Sequence, residues 1–326
     1  MHRTASPLLL SCVLLISASA AGRAQPARAA APAASPAASL ERAMKMAGEG
    51  RCAEALPIFQ RSLRAAANGE LKRRAGAAAV RCGLALDQRG EVASTLALLQ
   101  QAFPHDPEIL YLATHAYSDL SMRASRELLR TAPGSPQVHM LGAESFETQG
   151  KWNEALGEYR RALEQQPDMS GIHFRIGRII LSQPATPTTA QDARREFEAE
   201  LKIDPSNAGA EYVLGELARE AGQLPEAIGH FTRATRLDPS FTDAFLGLGR
   251  ALLDANRAAE AVAPLETCAR QQPENPTLHF TLATAYQRLG RKEDAAREFA
   301  AHKATAEKAR QAEESVRRAV SGGPPQ

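Results

Sequence analysis

Aromatic residues, cysteines and an excess of either charge are all scarce in this chain of 326 residues. Phe, Trp and Tyr make up 5% of the sequence, and Trp152 is the single tryptophan, which leaves few aromatic platforms for binding sugars. Four cysteines in a chain of this length exclude a small scaffold held together by disulfides. Lys and Arg number 39 against 37 Asp and Glu, so no basic surplus indicates a nucleic-acid partner.

Catalytic motifs are also missing. The sequence contains no phosphate-binding loop, no zinc-protease helix motif and no nucleophile turn of the serine-hydrolase type. Gly247 and Gly249 have the spacing of the first two glycines of a dinucleotide-binding loop, but the third glycine is absent and the pattern around them is helical. We therefore predict no catalytic residue, no metal site and no cofactor. An enzyme, such as a hydrolase or transferase, is the alternative that a turnover screen would test.

Residues 1–20 have the pattern of a secretory signal peptide. Arg3 precedes an apolar run over 7–16, and Ala18-Ser19-Ala20 fits a cleavage site between small residues. The run is shorter than the roughly 20 apolar residues that span a bilayer. We expect an exported, periplasmic protein with no integral membrane segment in the mature chain. Secretion, an uncleaved N-terminal anchor and a lipid anchor at Cys12 are the alternatives.

Two segments contain too few apolar side chains to form a core. Residues 21–39 consist only of Ala, Pro, Ser, Gly, Arg and Gln, and we predict a flexible linker there. Residues 321–326 contain two glycines followed by two prolines, which end any preceding helix. They are predicted to form a short disordered tail.

Small residues, aromatic residues and prolines recur every 34 residues towards the C-terminus. The equivalent positions are Gly215, Gly249 and Ala283; Ala227, Ala261 and Ala295; Phe231, Leu265 and Phe299; and Pro205, Pro239 and Pro273. A fixed period of this length is typical of a stacked array in which each unit is one supersecondary element. Within 208–241, two apolar stripes of helical spacing flank Gly222, which predicts a helix, a turn and a second helix. Phe231 is expected to fill the space left by Gly215 and Ala227 where the helices cross.

This pattern resembles the tetratricopeptide repeat, a helix–turn–helix unit of 34 residues. The resemblance covers an array over 136–309, which divides into 136–169, 170–207, 208–241, 242–275 and 276–309. Residues 40–135 are expected to contain more degenerate units, which the sequence places at 36–69, 76–109 and 110–135. The resemblance implies an all-α fold, a right-handed superhelical solenoid of about eight such units.

Three positions depart from the repeat. The unit 170–207 is four residues longer than the period, and the surplus falls in 182–189, which predicts an enlarged turn between its helices. Asn256 replaces the turn glycine of its unit, a position that Asn tolerates. The last unit has no closing proline, so residues 303–320 are predicted to extend its second helix as a charged cap.

The resemblance also implies a concave groove lined by the first helix of each unit. The predicted groove residues are Met140, Glu144, Glu147, Phe174, Arg178, Tyr212, Glu216, Arg219, Leu246, Arg250, Phe280 and Arg288. An apolar row flanked by mixed charge suits an extended peptide or an amphipathic helix, although the same row has an alternative role in packing against neighbouring helices. The predicted function is a non-catalytic scaffold or assembly factor of the bacterial envelope that binds a protein or peptide. The alternative is a glycan-binding or accessory subunit of an envelope polysaccharide or enzyme complex.

Three histidines hold equivalent places near the start of a first helix: His139, His173 and His279. Packed helices lie about 8–10 Å apart. A zinc ion needs its ligands about 2 Å away, so equivalent histidines of neighbouring units are too far apart to share one. We predict that these side chains lie at helix interfaces.

The cysteines beyond the N-terminal segment have two different roles in this interpretation. Cys268 occupies a position that Ala162 and Ala234 hold in other units, which predicts a buried thiol. Cys52 and Cys82 fall in the first two units, on helices that are candidates for neighbours. In an oxidising compartment they would form a disulfide if their separation allows it.

Overall fold

The computed structural model describes residues 35–321 and divides into two compact units between Arg123 and Ala124. Within the described range every regular element is an α-helix. The helices of unit 1 are α1 (Pro36–Gly48), α2 (Cys52–Ser62), α3 (Glu70–Ala85), α4 (Arg89–Ala102) and the larger part of α5 (Pro107–Thr131). The helices of unit 2 are α6 (Pro136–Thr148), α7 (Trp152–Gln165), α8 (Ile172–Ser182), α9 (Thr189–Ile203), α10 (Ala208–Glu220), α11 (Leu224–Leu237), α12 (Thr242–Asp254), α13 (Ala258–Gln271), α14 (Pro276–Arg288) and α15 (Lys292–Ser321).

The all-α repeat architecture is confirmed, with seven helix pairs and one single helix in the described residues. The single helix is α5, where the sequence predicted a truncated unit over 110–135. No glycine or proline occurs between Glu108 and Thr131, so nothing breaks the helix until Pro133 and Gly134. α15 continues as one helix to Ser321, through the segment predicted as a cap and into the first residue of the predicted tail.

The predictions for 1–20 and for most of the linker lie outside the described residues, as does the tail over 322–326. The end of the linker differs from the prediction, because residues 36–39 form the first turn of α1. Ser35 caps this turn by accepting a hydrogen bond from the Ala38 amide at 3.2 Å, and Pro36 stands at the first helical position. No helix of the described part is long and apolar enough to cross a membrane.

In six of the seven helix pairs of the described residues, the turn contains a residue in the left-handed region; the longer turn between α8 and α9 has none. Gly222 has φ 73°, and Asn256 adopts φ 57° in its place one unit later, as predicted. In the pair α3–α4 the turn residue is Asp87, with φ 53°. Gly222 is the fifteenth residue of the unit 208–241. If Asp87 holds the same place, its unit starts at Arg73, three residues before the predicted boundary at 76.

The core of unit 2 depends on aromatic rings that lie against glycine backbones. Phe231 is fully buried, and a Cβ added to Gly215 would lie 2.8 Å from its ring. A Cβ added to Gly247, in the next pair, would lie 2.5 Å from the same ring. Phe231 therefore packs within its own pair and against the following one, which no side chain at either glycine would permit. This packing explains Gly247, and Gly249 is explained by Leu265, whose side chain would clash with a Cβ added there.

Candidate partner-binding surface

The predicted groove residues lie on the first helices of the five pairs in unit 2, and we call the surface that they form the first-helix face. Met140, Glu144 and Glu147 lie on α6, Phe174 and Arg178 on α8, Tyr212, Glu216 and Arg219 on α10, Leu246 and Arg250 on α12, and Phe280 and Arg288 on α14. The repeat, with a step of 34 residues or of 38 across the longer unit 170–207, places equivalent side chains at the same height on successive first helices. Their exposure and their partners, however, differ from unit to unit.

Much of the apolar row packs against neighbouring helices. Phe174 meets Phe197 edge to face, with ring centroids 5.6 Å apart. Tyr212 lies between Phe231 and Phe241, at centroid distances of 5.8 and 5.0 Å. Leu246 is 8% exposed and belongs to the core. These side chains take the packing role that the sequence left open as the alternative.

Phe280 differs from the rest of the row because 52% of its side chain is exposed. Its ring contacts Phe299 and His302, at centroid distances of 6.0 and 5.5 Å, along one edge. An aromatic side chain that is anchored on one side and open to water on the other is a common centre of a protein interface.

Four of the seven charged side chains of the first-helix face form ion pairs: Glu144, Glu147, Glu216 and Arg219. Arg175 contacts Glu144 at 3.1 Å, which joins α8 to α6, and Arg219 contacts Asp254 at 3.4 Å, which joins α10 to α12. Pairs with this exposure contribute about 0–1 kcal/mol each. Arg175 was not predicted from the sequence. The sequence pattern that could have identified Arg175 is a basic residue on one first helix that falls, in the repeat register, about one helical turn from acidic residues on the preceding first helix.

Three further arginines of the first-helix face have no carboxylate partner among residues 35–321. The guanidinium of Arg178 lies 6.0 Å from the ring centroid of Phe174. Arg288 donates a hydrogen bond to the Leu253 carbonyl, and Arg250 lies near Tyr212. Cations without a carboxylate partner, on the same face as the exposed ring of Phe280, provide electrostatic complementarity for an acidic and partly apolar partner.

Two tyrosines of this region remain protonated at neutral pH. Burial raises the pKa of the Tyr212 phenol above its ordinary value, and the carboxylates of Glu216 and Asp243 raise it further. Burial likewise raises the pKa of Tyr159, whose hydroxyl donates to Glu147 Oε1 at 2.6 Å. Both phenols therefore stay neutral, and the one of Tyr159 is a hydrogen-bond donor to Glu147.

The three equivalent histidines each contact a glutamate on the second helix of the same pair. The distances from Nδ1 to Oε2 are 2.6 Å for His139–Glu158, 2.6 Å for His173–Glu196 and 2.7 Å for His279–Glu298. The histidines thus lie at helix interfaces, as predicted. Among the residues that the structure describes, no group of three or more His, Cys, Asp or Glu side chains is arranged to hold a metal ion.

The unit 208–241 contains the same contact in reverse. Glu211 stands where the other units have histidine, and His230 stands where they have glutamate, with Nδ1 and Oε2 2.6 Å apart. Arg233 Nε also donates to Glu211, at 2.6 Å. The two residue types exchange places while the contact stays, so a polar pair at this position serves to join the two helices.

A buried glutamate holds Phe174 in position. Glu200 is 0% exposed, and its carboxylate accepts hydrogen bonds from the amides of Gly171 and Phe174, at 2.7 and 3.3 Å. α8 begins after Gly171, which has no side chain to cap the helix, and Glu200 of α9 takes over that role. The sequence signal was a glutamate in the position that Ala162 and Ala234 hold in other units.

In unit 1 the structure joins Cys52 and Cys82 by a disulfide, with their Cα atoms 5.0 Å apart. The bond connects the start of α2 to the end of α3. Cys268, in unit 2, is a fully buried free thiol whose Sγ lies 3.6 Å from the Thr242 carbonyl. Burial, with a smaller contribution from Asp243, raises the pKa of this thiol to about 11.

A family model described as tetratricopeptide repeat matches residues 140–187, which span α6 to the turn after α8. Together with the helix pairs, this match supports a tetratricopeptide-repeat protein. A second model, described as bacterial transcriptional activator domain, matches residues 215–319, from α10 into α15. No curated protein matches the chain.

Solved structures of other proteins show similar helical arrays. A MamA protein is 20% identical, with a TM-score of 0.48 over 54% of this chain and 94% of its own. MamA from Desulfovibrio magneticus RS-1 is 17% identical, with a TM-score of 0.47 over 53% and 96%. YrrB, described as a TPR protein with an unusual peptide-binding site, is 18% identical, with a TM-score of 0.49 over 56% and 92%. At these values the likeness adds nothing to what the helix pairs themselves show.

Proposed function

We propose that this tetratricopeptide-repeat protein is a non-catalytic scaffold of the bacterial envelope that binds a peptide or helix of a protein partner on the first-helix face of unit 2. The repeat fold supports a role in protein–protein interaction. The observation that supports this particular face is the half-exposed ring of Phe280 on the same surface as unpaired arginines. The signal-peptide pattern over 1–20 supports the location.

The chemistry of the face defines the partner. An apolar side chain of the partner would pack on Phe280, and its carboxylates would pair with Arg250 and Arg178. Apolar anchors set the affinity of such a contact, whereas the charges at its rim set the association rate and the choice of partner. Either an amphipathic helix or an extended segment presents side chains in this way.

The test is crosslinking in cells followed by mass spectrometry, comparing wild type with Phe280→Ala/Arg250→Glu. Phe174 and Tyr212 are unsuitable targets because both are less exposed than Phe280 and pack against neighbouring rings, so their loss would disturb the fold. The matched control is Val316→Ala/Arg317→Glu, which makes the same kinds of change on the exposed part of α15. A protein recovered with wild type and control but lost in the first variant supports the proposal. Equal recovery from all three proteins would contradict it.

The match of residues 215–319 to a bacterial transcriptional activator domain favours a second candidate, an interaction module that works with the transcription machinery in the cytoplasm. N-terminal sequencing and cell fractionation separate the two. A chain that begins near Ala21 and is recovered from the periplasm supports the envelope scaffold. A chain that retains Met1 and stays in the cytoplasm supports the second candidate.

A further inference from the structure

Unit 1 contains an open cleft of about 750 Å³ between α4 and the segment 63–69, which links α2 to α3. One face of α4 lines it through Ser94, Leu98 and Gln101, which lie about one helical turn apart. The cleft lies beside the second helices of its two pairs and shares no residue with the first-helix face. Its volume falls within the range of roughly 300–1,000 Å³ that is typical of ligand-binding sites.

The most buried residue of the cleft lining is a lysine without a charged partner. Lys72 is 7% exposed. Its Nζ donates hydrogen bonds to the Ala66 carbonyl and to Asn68 Oδ1, both at 3.1 Å, and both acceptors are neutral. Within residues 35–321 it forms no ion pair with a carboxylate. An ammonium group has three N–H donors, so one remains for a ligand.

The surroundings of Lys72 make a cation unfavourable at this position. Lys72 is the third residue of α3 and thus lies at the positive end of the helix dipole, and Gly69, which precedes α3, provides no side-chain cap. The carboxylate of Glu70, in the same turn, accepts from Arg73 at 2.6 Å instead. A buried charge without an opposite charge destabilises the fold. A bound anion would offset both the burial and the dipole.

A second cation and two amides line the same cleft. Arg64 is exposed, and although it also lines an adjoining cleft of about 270 Å³ together with Glu91, no ion pair joins these two side chains. Asn68 uses its oxygen to accept from Lys72, which leaves its NH₂ group as a donor, and Gln101 provides another amide. The lining described for the larger cleft therefore combines two cations with no carboxylate.

Charge and the number of donors define the chemistry of a matching ligand. Two cations without a carboxylate match a group of charge −2. A phosphomonoester carries a charge of about −1.5 to −2 at pH 7 and has three strong acceptor oxygens, whereas a single carboxylate carries −1. The planar guanidinium of arginine pairs with phosphate through two parallel hydrogen bonds. Beside these groups, Ala97 and Leu98 provide an apolar wall for a carbon skeleton.

We propose that this cleft of unit 1 is a binding site for a phosphomonoester group, whose phosphate pairs with Lys72 and Arg64 and whose carbon skeleton packs along α4 at Leu98. Such a group reaches the cleft either on a small soluble molecule or as the head group of a lipid, and the test separates these two sources. The proposal does not depend on the partner of unit 2, since the cleft and the first-helix face lie on different units.

Isothermal titration calorimetry on the full chain tests the proposal, with glycerol 3-phosphate as the probe. The comparison ligands are acetate, which is a monoanion, and glycerol, which lacks the phosphate. We expect a Kd of about 1 mM or lower for the probe, binding of acetate at least about tenfold weaker, and no binding of glycerol. The affinity for the probe should fall as salt rises from about 0.05 to 0.5 M.

Two further measurements locate the site and identify the source of the group. Hydrogen exchange should slow in α3 and α4 when the probe is present and stay unchanged in α10 to α13. Cosedimentation compares vesicles that contain phosphatidic acid, a lipid phosphomonoester, with vesicles that contain phosphatidylglycerol, a diester. Binding of the soluble probe assigns a free molecule, whereas binding to the phosphatidic acid vesicles alone assigns a lipid head group.

Substitution of each cation tests its role. Lys72→Met keeps an unbranched side chain and removes the ammonium, so it should weaken binding of the probe at least about tenfold. Its melting temperature without ligand should not fall below that of wild type, because a buried cation has been removed. Arg64→Gln should weaken binding about fivefold. The matched control, Arg61→Gln, changes an exposed arginine that lines neither cleft and should bind within about twofold of wild type.

Four results would overturn the proposal. The first is that wild type binds neither the probe at about 10 mM nor the phosphatidic acid vesicles, and the second is that acetate binds as tightly as the probe. The third is equal weakening by Arg64→Gln and Arg61→Gln. The fourth is a Lys72→Met variant that melts at a lower temperature but keeps the wild-type affinity, which would make the lysine purely structural. None of these results bears on the crosslinking experiment, which probes unit 2.

Discussion

The two units contain the same kind of helix pair but join neighbouring pairs in different ways. In unit 1 the disulfide Cys52–Cys82 connects the first pair to the second. In unit 2 the junction between two pairs is non-covalent, as where Phe231 lies against Gly215 and Gly247. Stacking of pairs can therefore be stabilised either by close packing on glycine backbones or by a covalent bond. The regular 34-residue pattern is strongest where packing alone holds the pairs together.

The largest effect is expected from removing the ring that joins two pairs in unit 2. Phe231→Ala should lower the free energy of unfolding of unit 2 by about 3–5 kcal/mol, because the cavity lies between two backbones that cannot close on it. Hydrogen exchange should accelerate in α10 to α12 and stay unchanged in α1 to α4. Phe280→Ala, the same substitution at an exposed site, should cost less than about 1 kcal/mol. Similar losses from both variants would contradict the role of the glycines in packing.

The next effect is expected from removing the covalent junction of unit 1. Cys52→Ser/Cys82→Ser should destabilise unit 1 by about 3 kcal/mol, since the bond closes a segment of 30 residues in the unfolded chain. Hydrogen exchange in α2 and α3 is the measurement, with α10 to α13 as the internal reference. Protection in α2 and α3 that is the same with and without the bond would show that packing alone holds unit 1.

Within unit 2, Glu200→Ala should cost about 2 kcal/mol, although alanine is the residue at the equivalent positions Ala162 and Ala234. The substitution leaves the amides of Gly171 and Phe174 without their acceptor. Cys268→Ala is the matched control, because it changes the same position in another unit and removes no cap; it should cost less than about 1 kcal/mol. Urea denaturation monitored by circular dichroism compares the two, and equal losses would contradict the capping role.

A smaller effect is expected at the histidine–glutamate contacts. His173→Glu and Glu196→His should each cost about 1 kcal/mol, because each places two like groups in contact. The double variant recreates the reversed order found at Glu211 and His230, and it should recover most of the loss. A double variant as unstable as the sum of its singles would show that the order of the pair matters and that the two residue types are not interchangeable.

The smallest effect at neutral pH belongs to the Cys268 thiol. Its pKa is raised to about 11 in the folded chain, so folding favours the protonated form. This contribution to stability is fully present below the pKa of the unfolded thiol and is lost as pH rises from about 9 towards 11. Thiol labelling at pH 8 should therefore be slow until the chain is unfolded. Rapid labelling of the native protein would show that the site opens.

Prediction from sequence succeeded at positions where the local backbone conformation or the space available admits only a few residue types. Asn256 was identified as a turn residue because few side chains tolerate a left-handed backbone, and Phe231 was placed against Gly215 because the repeat leaves space there. It failed at α5, where the apolar period suggested a further unit but no turn residue interrupted the helix. For the groove, it placed the residues on the correct helices but did not determine which of them are open, since Leu246 and Phe280 look alike in the pattern.

The sequence by itself determined the helices, their pairing and the repeat, because turn residues and apolar periodicity act over a few neighbouring positions. Only the tertiary structure decided which charges are neutralised and which side chains remain exposed. Arg73 and Arg74 are adjacent in the chain, yet one is held by Glu70 and Glu108 and the other has no carboxylate partner in residues 35–321. Pairing of this kind depends on side chains of other helices that lie within a few ångströms, and that proximity is created by folding.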